Sequence, residues 1–180
     1  LDYFPDDISE KLYAKVPRKV EPRVGKIDYD IDGRAVGNWF EVGTNGYEGV
    51  NMQRYWDGHL SIVYDHLDPS QIRFSIGNFG GSSKQFGVKD NGPDPATISV
   101  ETGLVKYELY YFEHYDKDTS KSWRSNEPPI ENLAARNISS AQGTALIQMI
   151  ETRKLKVEVF PDKTADQIAG FTNAAKIYER

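Results

Sequence analysis

Cysteine is absent from the 180-residue chain. Its absence excludes a disulfide framework, a thiolate nucleophile and any Cys-ligated metal, and leaves the compartment open. No run of 18 apolar residues occurs, so no helical membrane span is encoded. Basic residues are few and scattered, and the net charge is −5. The densest basic patch runs from Pro17-Arg18-Lys19 through Arg23-Val24-Gly25-Lys26. An acidic surface without a basic stripe is a poor partner for a phosphate backbone, so nucleic acid is not an expected ligand. There is no repeat of fixed period and no low-complexity tract. Gly80-Gly81-Ser82-Ser83-Lys84 fits neither a nucleophile elbow nor a phosphate loop.

What is present is aromatic and strand-like. Eleven Tyr stand against 2 Met and 3 His, and aromatic side chains suit a pleated, half-buried surface. From Ile27 onward the dominant signal has period two. Ile27, Tyr29 and Ile31 alternate with polar residues. So do Leu60, Ile62 and Tyr64, then Ile72, Phe74 and Ile76, then Val105, Tyr107, Leu109 and Tyr111. Lys84–Val88 and Ala96–Thr102 read as shorter strands. Thr144–Phe160 reads as a hairpin turning near Glu151–Lys154, its second arm carrying Leu155, Val157 and Val159 on one side. Asp32-Gly33, Asp57-Gly58, Asp68-Pro69 and Asn91-Gly92-Pro93 supply turns. Gly77, Gly80, Gly81 and Gly87 mark bends or bulges.

Two helical segments flank this pattern. Near the start, Ile8, Leu12 and Val16 share a helical face, with Asp6 or Asp7 as the cap and Pro17 as the stop. Near the end, Thr164 and Gln167 form a capping box for a short helix before a last strand at Ala175–Glu179. The expected organisation is a helix and connector over 1–25, acting as arm or cap, and one β domain over 26–180. The expected fold is all-β: an antiparallel up-and-down barrel or a β-sandwich, apolar on one face and wet on the other.

The stretch Lys26–Val42 admits two readings. Asp28, Asp30 and Asp32 match the start of a calcium loop, but its twelfth position falls on Trp39. The same residues also read as a hairpin whose turn is Asp32-Gly33 and whose return strand is Ala35–Val42. A second acidic loop places Asp116, Asp118, Ser120, Ser122 and Glu127 at the ligand positions, with Lys121 where glycine belongs and Pro128-Pro129 after it. These residues are the candidate Ca²⁺ ligands. That loop lies in a region, Tyr115–Gln142, without strand periodicity, where Ile130–Asn137 suggests a helical turn. The sequon Asn137-Ile138-Ser139 falls in the same region.

Among titratable residues, His59 and His66 bracket one strand at odd separation and so point to opposite faces. Asp65 shares the His59 face, and that pair is the candidate for acid–base work. His114 stands between Glu113 and Tyr115 at another strand's end. Trp39, Trp56 and Trp123 are the candidate ligand or interface aromatics.

Gly37-Asn38-Trp39 resembles the G-x-W that opens the first barrel strand of lipocalins and related calycins. The resemblance implies a barrel whose Trp packs across the floor under a late arginine, for which Arg153 and Arg180 are the candidates. The wider run from Gly37 to Phe79 is similar to bacterial secreted β-rich proteins. That similarity carries no activity with it; the expected role is a non-catalytic secreted, periplasmic or surface barrel with a binding or assembly function. Its partner would be a small apolar ligand, a glycan, or a second copy reached through the N-terminal arm. The alternative is a barrel-scaffold isomerase, cyclase or lyase using His59 with Asp65.

Overall fold

A computed structural model describes residues 3–16, 18, 21, 23, 29–128 and 130–180. The strands are β1 (Gly37–Glu41), β2 (His59–Tyr64), β3 (Ile72–Phe79), β4 (Ser82–Val88), β5 (Val105–Asp116), β6 (Ser122–Trp123), β7 (Leu133–Glu151), β8 (Lys154–Pro161) and β9 (Lys176–Glu179). Every pairing is antiparallel. Apart from the two-residue β6, neighbours in space are neighbours in sequence, and β9 pairs with β1 while β4 pairs with β5. The result is a closed barrel of 8 strands in up-and-down order, with β6 attached to the free edge of β5. Closure removes the long open edges that an unclosed sheet would expose.

Alternation decides what fills the barrel. Trp39, Leu60, Ile62, Phe74, Ile76, Phe86, Tyr107, Leu109, Ile147, Met149, Leu155 and Tyr178 belong to one buried core. An eight-stranded barrel is just wide enough for side chains to fill. Here Phe74 lies 6.4 Å from Tyr107 and Phe86 stacks on Tyr111 at 5.7 Å. Tyr107 donates its hydroxyl to the Pro93 carbonyl (2.6 Å), which satisfies the one polar atom of that ring.

The outer face is not uniformly wet. Thr144, Leu146 and Glu158 point away from the core residues of β7 and β8 and are nevertheless buried. The segment 162–175 covers them. Lys106 donates to the Ala165 carbonyl (2.8 Å), Glu108 accepts from the Ala165 N–H (2.8 Å), and Glu158 accepts from the Thr172 N–H (2.6 Å). The short helix there is a 3₁₀ turn, Ala165–Gln167, held by the expected Thr164/Gln167 capping box.

Several expectations are corrected. Tyr29, Asp30 and Ile31 form no strand, while Ile27 and Asp28 lie outside the described residues. The Asp32-Gly33 turn docks on the β7–β8 turn through Gly33 N–H to Thr152 O (3.2 Å) instead of starting a hairpin. Ala96–Thr102 ends in a 3₁₀ turn, Val100–Thr102, with Ile98 buried beneath it. Ile130–Asn137 is not helical: β7 begins at Leu133, because pairing with β5 from Asp116 back to Val105 outweighs local helix propensity. Asn137 of the sequon therefore sits on a strand and donates its side-chain amide to the Val88 carbonyl (3.2 Å). The N-terminal helix α1 spans Asp6–Tyr13. Pro5 is its cap residue, and Asp6 and Asp7 occupy its first turn, where acidic groups favour the helix dipole. Pro17 lies outside the described residues.

Candidate functional site

The residues between the core positions of β2, β3 and β4 face outward. Ser61, Val63 and Asp65 follow this parity from β2, Arg73 and Ser75 from β3, and Gln85 from β4. On most barrels such residues are solvated. Here Arg18 and Tyr29 from the N-terminal segment, and Phe112 and His114 from β5, stand over them and enclose a cleft of about 320 Å³.

Asp65 anchors this site. It follows β2 directly, and its Oδ1 accepts the Leu67 and Asp68 N–H groups (both 2.8 Å), the Asx-turn chemistry that the sequence Asp65-His66-Leu67-Asp68 supports. Its Oδ2 accepts from Arg73 Nε (2.8 Å) and from His114 Nε2 (2.8 Å). Asp68 extends the tie by accepting the Ala135 N–H (2.9 Å) from β7. Burial works against a charged Asp65. The His114 hydrogen bond, the Arg73 guanidinium and the Asp68 N–H outweigh it and hold the carboxyl well below the usual carboxylate range.

Arg73 is 5% exposed. Its Nε serves Asp65, its Nη1 donates to the Ile72 carbonyl (3.1 Å), and its guanidinium lies 3.6 Å over the Phe112 ring. Among the described residues, its buried Nη2 meets no acceptor, and the buried Tyr29 hydroxyl in the same cleft has no partner either. Burial lowers the Arg73 pKa and Asp65 opposes that, so the guanidinium stays charged. Arg18 lies 4.5 Å over the Tyr29 ring. His66 packs 5.9 Å from His114. Burial depresses its pKa; Asp65 counters this, while His114, Arg18 and Arg73 add to the depression.

The expected His59–Asp65 pair does not form. Asp65 pairs with His114, 49 residues away. His59 instead sits among Phe40 (5.2 Å), Tyr55 (5.7 Å) and Tyr47 (5.9 Å) at the other end of β2. Sequence parity was right about the facing of Asp65 and silent on the strand that would cross to it. The one signal for His114 was its phase with Phe112 on the outward side of β5.

The tryptophans occupy three different places. Trp39 is fully buried and donates its indole N–H to the Ala35 carbonyl (2.9 Å), with the Arg180 guanidinium 4.2 Å over its ring. Arg180 also donates to Val36 O and Arg34 O (both 2.7 Å) and to Ile31 O. Arg153 lies elsewhere, paired with Asp32 (3.1 Å). Trp56 is part-exposed beside Tyr55 (5.1 Å) in the β1–β2 connection. Trp123 donates to the Pro128 carbonyl (2.9 Å), 6.2 Å from the His114 ring.

The acidic candidates are dispersed. Asp28 lies outside the described residues. Asp30 accepts the Asn38 N–H (2.7 Å), and Asp32 pairs with Arg153. Asp116 accepts from Asp118 N–H (2.9 Å) and Thr119 (2.7 Å), Asp118 accepts from Asn132 (2.8 Å), and Glu127 accepts the Arg124 N–H (3.3 Å). Ser120 takes a left-handed conformation at φ 58°, and Ser122 donates to Glu113 (2.5 Å). Among the described residues, no three of His, Asp and Glu gather in a metal-binding group.

No protein family, curated protein or solved structure matches the chain.

Proposed function

We propose that this chain is a non-catalytic β-barrel domain that binds a small ligand, and that the ligand sits in the outer cleft over β2, β3 and β4. One observation carries this reading. Core aromatics fill the barrel interior, while the cleft of about 320 Å³ is walled by residues from the N-terminal segment, β2, β3, β4 and β5. A cleft drawn from several segments, mixed apolar and polar in lining, is the usual form of a small-molecule site. The expected small apolar ligand is thus placed on the outside of the barrel wall. Support for a calycin-like organisation comes from Trp39 under Arg180, the arrangement that the Gly37-Asn38-Trp39 resemblance implies.

The second reading, an acid–base enzyme, draws on the His114–Asp65 contact (2.8 Å). Against it, every lone-pair direction that a buried general base would need on Asp65 is already met by Leu67, Asp68, Arg73 or His114. Asp65 is better suited to holding the cleft in shape.

A fragment screen read by amide chemical shifts tests the proposal. Hits should shift the amides of Asp65, His66, Arg73, Ser75 and His114. Hits confined to interior positions such as Phe86, Tyr107 and Met149, or no hits in the cleft, would overturn it. Conversion of a bound fragment would favour the enzyme reading.

A further inference from the structure

The donors of the cleft are not all used. A guanidinium carries five N–H donors in a fixed fork. Arg73 directs Nε to Asp65 and Nη1 to the Ile72 carbonyl, and its buried Nη2 has no acceptor among the described residues. Phe112 covers one face of the guanidinium, so an acceptor for Nη2 has to come in the guanidinium plane. The hydroxyl of Tyr29, a residue lining the same cleft, is also buried and has no partner among the described residues. Native proteins rarely leave buried donors unmet, and each such case asks for an explanation. Among the described lining residues the one carboxylate is Asp65, and its own acceptors are occupied by Leu67, Asp68, Arg73 and His114.

We infer that the ligand of this cleft is a small molecule carrying an oxyanion, a carboxylate or a phosphate monoester, accepted by Arg73 Nη2 and the Tyr29 hydroxyl. This rests on the cleft being a binding site. An oxyanion supplies an acceptor to both donors and the charge that the Arg73 guanidinium favours, with charge-assisted bonds about twice as strong as neutral ones. A cation meets repulsion from the same guanidinium. Val63, Phe112 and the Tyr29 ring provide the apolar wall for a short aliphatic or aromatic body, and the volume limits the ligand to small molecules.

The test is a calorimetric titration with benzoate, its neutral counterpart benzamide, and inorganic phosphate, with amide shifts reporting the location. Benzoate is expected to bind in the cleft and benzamide about tenfold more weakly or worse. Tyr29→Phe is expected to weaken benzoate about tenfold. Because the hydroxyl it removes has no partner among the described residues, the melting temperature of Tyr29→Phe should not fall. Phosphate binding tighter than benzoate assigns a phosphate ligand; the reverse order assigns a carboxylate. Equal affinity for benzamide and benzoate at the same amides would overturn the charge assignment and leave the cleft as a binding site. Shifts by none of the three probes in the cleft would overturn the oxyanion inference. The fragment screen above reports separately on whether the cleft binds anything.

Discussion

Asp65→Ala removes an acceptor from four donors at once. The Leu67 and Asp68 N–H groups, Arg73 Nε and His114 Nε2 all lose their partner, and the Arg73 side chain, 7% exposed, keeps its charge. Losing one member of a buried ion pair costs about 3–5 kcal/mol, mostly because an uncompensated charge remains. Urea unfolding measures it. With an m-value of about 2 kcal/mol/M, the midpoint should drop by about 2 M at unchanged m. The double variant Asp65→Leu/Arg73→Met removes the stranded charge together with its partner and should recover much of the loss. A single-variant loss below about 1 kcal/mol would mean that the Asp65–Arg73 pair is solvated rather than buried.

Three further outcomes are expected. Arg180→Ala uncovers the Trp39 ring and frees the Val36, Arg34 and Ile31 carbonyls; it should cost about 2–3 kcal/mol and red-shift tryptophan fluorescence. Gly77→Ala would place a methyl carbon 1.6 Å from the Trp56 carbonyl oxygen, so it should destabilise by about 3 kcal/mol in thermal or urea melts. The depressed His66 pKa gives a pH dependence with a definite sign. The unfolded ring, near pH 6.5, takes up its proton before the folded one, so stability falls as pH drops below about 6.5. His66→Gln should flatten that limb of the urea midpoint against pH. The low Asp65 pKa adds a separate contribution, present above about pH 4 and lost on further acidification.

Much of the barrel was legible because burial on one face writes itself into alternate residues. Leu155, Val157 and Val159 stood out for that reason, and Val105, Tyr107 and Leu109 likewise. The β7–β8 turn fell where expected, at Thr152 and Arg153. The misread parts were those where tertiary contacts overrule local pattern. Leu133–Asn137 carries good helix formers and no alternation, yet it becomes strand because β5 offers a long partner. Tyr29–Ile31 alternates like a strand and is drawn off by the Asp30–Asn38 and Arg180 contacts instead. The cleft itself depends on His114 meeting Asp65 and on the N-terminal segment returning to cover β2 and β3. No spacing rule links residues so far apart. The fate of Arg73 was hidden for the same reason: an outward arginine on a strand is ordinarily solvated, and here Phe112 of β5 lies over its guanidinium.

The most direct test is a crystal structure of the protein with benzoate. The carboxylate should lie in the cleft, about 2.7–3.1 Å from both Arg73 Nη2 and the Tyr29 hydroxyl. Benzoate bound elsewhere, or a protein side chain closing on Arg73 Nη2 and leaving no room for it, would contradict the account.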